Sequence, residues 1–493
     1  MSLIQITDLT FGYDGSSETI FENVSFQLDT DWRLGFTGRN GRGKTTFLKL
    51  LLGKYEYRGK ISATVEFSYF PYEVLDKEKD TMEIVYTMHP YCEHWELVKE
   101  LSLLQVAEEV LYRPFHTLSS GEQTKVLLAV LFLKENNFLL IDEPTNHLDG
   151  ETRQVLAKYL KTKKGFILVS HDRVFLDTCI DHILSINKAN IDIQRGNYSS
   201  WMQNKQLEDS FELAENEKLK KDIKRLSDAA KRSANWSARV EGTKFKGRDA
   251  SGIKPDKGHI GHKAAKMMKR SKVIENRQAT AIEKKKSLLK NIETANPLKI
   301  TPLVHSSEVL VRCENISIGY GEKSVVKNIQ LSIKNGERIA LVGKNGSGKS
   351  SLLRVICGQE IPFAGRCYTA SGLILSYIPQ DASFLQGELS EFAYEHQLSE
   401  TQFKTILREL DFSREDFNRR MEYFSDGQKK KVLLAKSLCE EAHLYVWDEP
   451  LNFIDVLSRV QIEEVLLRYA PTLPFVEHDK GFVEKVATRI EEL

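Results

Sequence analysis

Short apolar runs bounded by charged or glycine-rich segments recur along both halves of the chain. They are Arg33–Thr37, Phe138–Ile141 and Phe166–Val169 in the first half, and Arg338–Val342, Leu444–Trp447 and Pro474–Val476 in the second. Such runs of three to five residues suit buried strands, and the runs after the glycine-rich loops at 38–46 and 343–351 suit helices. The middle is different. Leu219, Ile223, Leu226 and Ala230 step by three and four, as do Ile260, Ala264, Met267, Ser271 and Ile274, continuing to Ala281, Leu288 and Ile292. Two amphipathic helices are predicted there. Between them Ser237–His259 carries four glycines and Pro255, which cannot continue either helix. The pattern predicts an antiparallel helical hairpin with a basic tip near 237–259, with arms of about 35 residues and roughly 50 Å.

A long-period repeat organises the rest. GRNGRGKTT (Gly38–Thr46) returns as GKNGSGKSS (Gly343–Ser351), LSSGEQ as FSDGQK, LLIDEP as YVWDEP and VSHD as VEHD, all at offsets of 305 to 307 residues. The predicted fold class is therefore α/β: a first domain over 1–200, the hairpin over 201–300 and a homologous second domain over 301–493.

Charge sharpens this division. The 493 residues hold 70 Lys+Arg and 69 Asp+Glu, for a net charge of +1, a balance that argues against a nucleic-acid binder only if it is even. It is not: residues 201–300 carry +12, leaving −11 elsewhere, and Lys231–Lys272 alone carries +10. Such a segment suits phosphate contacts, with Trp236 and Phe245 available to stack on bases and Lys244, Lys246, Arg248 and Lys254 as backbone-binding candidates. The longest apolar run, Val126–Leu133, is too short to span a bilayer. The opening residues lack a secretory signal pattern, and six scattered cysteines without a CxxC pair suit reduced thiols. The expectation is a cytoplasmic protein.

The repeated motifs carry the chemistry. In GxxxxGK(S/T) glycines let backbone N–H groups turn towards phosphates, Lys44 or Lys349 reaches the β and γ phosphates, and Thr45 or Ser350 supplies a Mg²⁺ ligand. Asp142 and Asp448 end apolar strands and can hold the metal, while Glu143 and Glu449 can orient or deprotonate an attacking water. His171 and His478 suit γ-phosphate contacts.

These strings resemble the ATP-binding cassette superfamily, with LSSGEQ and FSDGQK as its signature. The resemblance implies two P-loop NTPase domains paired head to tail within one monomer, binding ATP and Mg²⁺ at their seam. Site one would use Gly38, Asn40, Gly41, Gly43, Lys44, Thr45, Thr46, Asp142, Glu143 and His171 with Ser425, Gly427 and Gln428. Site two would use Gly343, Asn345, Gly346, Gly348, Lys349, Ser350, Ser351, Gln380, Asp448, Glu449 and His478 with Ser119, Gly121 and Glu122. Gln380 would also face the metal, and Tyr13 and Tyr320 resemble the aromatic that stacks on adenine. With no membrane segment and a long charged insert, the chain is similar to the ABC-F family; GRNGRGKTT and WDEPLNFID look most like its Lsa-type antibiotic-resistance subgroup. That implies an ATPase bound to the 70S ribosome near the tRNA exit site, contacting 23S rRNA and P-site tRNA. Its linker tip would lie towards the site of lincosamides, streptogramin A and pleuromutilins.

Some positions depart from the family pattern. Tyr72 stands where the second half has Gln380, Leu451 and Phe453 replace Thr145 and His147, and Glu477 replaces Ser170. The two sites are expected to be inequivalent. Alternative readings are a housekeeping ABC-F translation factor and the tandem ATPase subunit of an importer, which would lack the basic hairpin. A DNA-repair cassette ATPase would need zinc-spaced cysteines or a far longer coiled coil.

Overall fold

A computed structural model describes residues 2–13, 19–38, 42–146, 148–186, 191–208, scattered positions from 210 to 273, 298–320 and 323–493. Residues 1–201 and 295–493 form one compact unit and 202–294 a second. The first unit contains two copies of one α/β architecture.

In the first copy, β1 (Leu3–Phe11) pairs antiparallel with β2 (Phe21–Asp29) and β4 (Arg58–Ser62) in an outer sheet. The central sheet runs β5 (Glu66–Phe70), β6 (Asn137–Asp142), β7 (Phe166–Val169), β3 (Arg33–Thr37), β8 (His182–Ile186) and β9 (Ile191–Arg195); only β9 is antiparallel. The second copy has an outer sheet of β10 (Val309–Tyr320), β11 (Lys323–Lys334) and β13 (Phe363–Thr369). Its parallel sheet runs β14 (Leu375–Ile378), β15 (Leu444–Asp448), β16 (Leu473–Val476), β12 (Arg338–Val342) and β17 (Arg489–Glu492).

The apolar runs of the sequence are these parallel strands. Phe138–Ile141, Phe166–Val169 and Leu444–Trp447 are all buried, because helices cover both sheet faces. In each copy the outer sheet and central sheet enclose the helix after the first glycine-rich loop: Phe47, Leu48 and Leu51 pack with Ile4, Ile6, Leu34 and Phe36, and Leu352, Leu353 and Ile356 with Val311, Ile316 and Leu341. Parallel strands all point the same way, so the loops after β3 and β6, and after β12 and β15, meet at one sheet edge.

The RGNYSSW segment leaves the first copy through a helix start. Tyr198 and Trp201 are buried and their rings lie 5.5 Å apart, while Ser199 donates its N–H to Asp177. The described residues of the second unit are helical and mostly exposed. The tip at 237–259 and its candidates Trp236, Lys244, Phe245, Lys246, Arg248 and Lys254 lie outside the described residues, as do Asn40 and Gly41 of the first loop. Among the described residues, no helix is long and apolar enough to cross a membrane.

Candidate active site

The two glycine-rich loops close in the same way. Gly43 (φ 88°) and Gly348 (φ 93°) sit at the N-caps of the helices Lys44–Leu51 and Lys349–Ile356 in left-handed backbone. A Cβ would lie 2.5 Å from Ile20 Cγ2 at the first and 2.2 Å from Val326 Cγ2 at the second, so both conformation and space demand glycine. The helix N-terminus then aims its unsatisfied N–H groups into the loop, where an anion fits. Lys44 Nζ donates to the Gly38 carbonyl at 2.7 Å, and Lys349 Nζ to Gly343 and Lys344 at 3.0 and 2.8 Å. Burial lowers both lysine pKa values against the pull of nearby carboxylates. Those carboxylates include Asp455 near Lys44 and Asp149 near Lys349, each from the opposite cassette.

The hydroxyl after each lysine meets the carboxylate ending the neighbouring strand. Thr45 Oγ1 donates to Asp142 at 2.9 Å and Ser350 Oγ to Asp448 at 3.0 Å. The next hydroxyls, Thr46 and Ser351, bond Tyr13 and Tyr320, each at 2.9 Å, which fixes these half-exposed rings over the loop ends. Glu143 and Glu449 follow in left-handed backbone, φ 51° and 49°, a conformation that costs about 1–3 kcal/mol in a non-glycine residue and clusters at functional sites. His171 Nε2 and His478 Nε2 stand 3.3 and 3.2 Å from their carboxylates.

The second loop opens on a cavity of about 490 Å³ that the opposite cassette completes. Asn345, Gly346, Lys349, Ser350, Gln380, Glu449, His478 and Tyr320 line it together with Ser120 from the first cassette. The signature residues themselves do local work: Ser119 and Glu122 form a capping box at the start of helix Ser120–Leu133, and Ser425 and Gln428 form another at helix Asp426–Cys439. Gln428 also donates to Asp416 at 2.8 Å. Gly121 packs towards Thr152, and Gly427 is buried in the first turn of its helix. The first loop meets the second cassette through Arg42, 3.6 Å from Asp411, and through the fields of Asp455, Lys431 and Arg459 on Lys44 and His171.

Two loop-bearing domains in one chain, the second loop's cavity completed by the first domain's signature helix, narrow the family, and a family model for "ABC transporter" matches residues 21–146 and 326–452. The chain belongs to the ABC transporter ATP-binding family. It is a tandem-cassette ATPase. Among curated relatives, it is 29% identical to the ribosome protection protein VmlR of Bacillus subtilis (strain 168), across 97% of this chain and 85% of that one. It is 27% identical to the putative ATP-binding protein YdiF of the same organism, across 100% and 80%. The crystal structure of archaeal ribosome recycling factor aABCE1 in complex with the ribosomal stalk protein aP1 shares its fold. The TM-score is 0.62 at 19% identity, with 98% of this chain and 87% of that chain covered.

Within this ABC architecture the two carboxylate clusters differ electrostatically. Burial, with Asp142 alongside, pushes the Glu143 carboxyl up to about 8, and its buried Oε1 has no well-formed hydrogen bond among the described residues, with the His171 ring 3.3 Å away. Burial also opposes the Glu449 charge, but hydrogen bonds from His478 and Gln380 and the charge of Lys430 together hold that carboxyl down to about 2. Asn452 adds a further donor at 2.6 Å. Burial lowers His171 well below the usual imidazole range, so it stands neutral beside Glu143. Asp142 takes a second hydrogen bond from Tyr69 at 3.0 Å.

The substitutions noted in the second half compensate one another. Thr145 and Ser170 pair through their hydroxyls at 3.2 Å; where Leu451 and Glu477 replace them, the Glu477 carboxylate accepts the N–H groups of Leu451 and His478 instead. Asp149, Asp455, Arg42 and Arg173 are not among the candidate residues of the motifs, yet the fold brings them to the seam. Asp149 and Asp455 cap the helices Gly150–Thr162 and Val456–Tyr469, and Asp455 is buried against Lys431 at 3.0 Å. Arg173 crosses the seam to Glu463 and lies 3.7 Å from Asp479. An Asp immediately before a helical run was the available signal for the first pair. Nothing local marks the cross-seam arginines.

Proposed function

We propose that the chain is an ABC-F ATPase that acts on the ribosome and protects it from antibiotics of the peptidyl-transferase region. The observation that carries this is the placement of the +12 segment between the two cassettes, a charge suited to RNA phosphates. Full-length similarity to a ribosome protection protein supports it.

At the second site, ATP lies with its phosphates in the Gly343–Ser351 loop, its base against Tyr320 and its γ-phosphate towards the start of the first cassette's signature helix. The buried Asp448 Oδ2, which has no hydrogen-bond partner among the described residues, and the adjacent Ser350 hydroxyl fit Mg²⁺. When bound, the metal neutralises developing charge on the phosphate oxygens. Lys349 supports the β and γ phosphates. Glu449 accepts the proton of the attacking water, whose oxygen bonds to the γ phosphorus as the bond to ADP breaks. His478 holds Glu449 in place. The first site, with Tyr72 in place of glutamine and Glu143 protonated near neutral pH, binds ATP and turns it over slowly. ATP binding closes the cassettes into the ribosome-bound form and hydrolysis releases it. Occupation of the drug site by the linker tip, or selection of a ribosome state with lower drug affinity, produces resistance.

The test replaces both glutamates, Glu143→Gln with Glu449→Gln, and adds ATP before sedimentation. The doubly substituted chain should pellet with ribosomes; pelleting with membranes alone rejects the reading. Wild-type chain expressed in a sensitive bacterium should raise the inhibitory concentrations of lincomycin and tiamulin. Unchanged values for both reject protection and leave the housekeeping role.

A further inference from the structure

Lys430, whose charge helps hold the Glu449 carboxyl down, is only 3% exposed. It sits one turn into the signature helix Asp426–Cys439 and points back into its own cassette. Its Nζ donates to the Pro379 carbonyl at 3.0 Å and approaches the Asp448 carbonyl at 3.5 Å. Burial lowers its pKa, and Asp448, Glu449, Glu477 and Asp381 all draw it back towards the charged form. A buried ammonium is tolerated only when paired in this way. Pro379 directly precedes Gln380, which lines the second cavity and hydrogen-bonds Glu449. The repeat places Thr124 opposite Lys430 and Tyr72 opposite Gln380. The first cassette thus has neither the lysine nor the glutamine at these positions, although His171 stands beside Glu143 as His478 does beside Glu449.

We propose that Lys430 is a positioning residue for ATP hydrolysis at the second site: it fixes the Pro379 carbonyl, and through it Gln380, against the turn that presents Asp448 and Glu449. The proposal rests on the reading of Glu449 as the hydrolytic base. A lysine here gives one charge that reaches two backbone carbonyls, and threonine is too short to span them. Gln380 then meets the γ-phosphate and metal with its side chain already placed, so no reorganisation is needed during reaction.

Steady-state hydrolysis of MgATP by the full chain tests this in Lys430→Met, Lys430→Thr, Lys430→Arg, Gln380→Ala and the Lys430→Met, Gln380→Ala double variant. The first two should lose about tenfold or more in kcat with KM within about threefold, the pattern of an interaction made mainly in the transition state. Lys430→Arg should recover most of the rate. The double variant should lose much less than the product of the two single losses, because Lys430 and Gln380 act on the same carboxylate. Each variant is compared at equal stoichiometry of bound fluorescent MgATP analogue, which excludes unfolded material. Wild-type kcat in Lys430→Met, or losses that multiply in the double variant, overturn the proposal. Wild-type turnover in Glu449→Gln would instead overturn the underlying reading of the site.

Discussion

The contrast between Glu143 and Glu449 predicts which site hydrolyses ATP and how the answer changes with pH. Glu449 is held at about 2, so it is ionised throughout the physiological range. Glu143 is pushed up to about 8 by burial and by Asp142, so at pH 7 roughly one molecule in eleven has it ionised, and at pH 9 about ten in eleven. A general base works only when ionised. The perturbation is therefore the single substitution Glu449→Gln, which removes the second site and leaves turnover to Glu143. Its residual phosphate release, measured from pH 6 to 9.5 at saturating MgATP, should rise about tenfold between pH 7 and 9 with a midpoint near 8. The reciprocal Glu143→Gln should keep at least about nine-tenths of wild-type turnover at pH 7 and show no such rise. The sign follows from the direction of the shift: raising a carboxyl pKa postpones ionisation, so activity appears as pH increases. Equal loss in the two single variants at pH 7, with flat profiles in both, would refute the reasoning.

Three further outcomes follow from particular contacts. Arg173→Met leaves Glu463, 4% exposed, with only the exposed Lys485 at 3.4 Å, and should destabilise the chain in urea by about 3 kcal/mol, with Arg173→Met plus Glu463→Met recovering a large part. Gly348→Ala puts a methyl group 2.2 Å from Val326 Cγ2 in left-handed backbone and should abolish binding of fluorescent ATP at the second site, while the same change at the exposed Gly53 should leave binding unchanged. Asp455 has its carboxyl pKa held below the usual range by Lys431 and the Ser458 N–H against burial, so the stability it contributes is complete above about pH 4 and is lost as pH falls through the lower folded value. The difference in melting temperature between wild type and Asp455→Asn should accordingly shrink between pH 5 and pH 2.

Much of the second site was legible because its chemistry is local. A Gly-x-x-x-x-Gly-Lys-Ser string has one economical conformation, and the strand before it and helix after it follow from short-range pattern, so Lys349, Ser350 and their neighbours assemble from sequence alone. Asp448 and Glu449 needed only the apolar run that places them at a strand end. The signature residues were harder to read. Ser119, Glu122, Ser425 and Gln428 match a capping box as well as a signature, and in the structure their side chains cap helices while Ser120 faces the cavity. One motif served two physical demands, and spacing alone does not separate them.

By itself, then, the sequence determined the duplication, the buried strands, the two glycine-rich loops and the charge division that isolates residues 201–300. These depend on periodicity, backbone sterics and residue type within a dozen positions. Tertiary structure decided which groups stand around each glutamate: Lys430 and Gln380 about Glu449, and the fields of Asp142, Arg459 and Lys44 about Glu143. It also decided the seam, where Arg173 finds Glu463 across 290 residues. A carboxylate's charge state depends on desolvation and on neighbours within a few ångströms, and chain folding sets those distances.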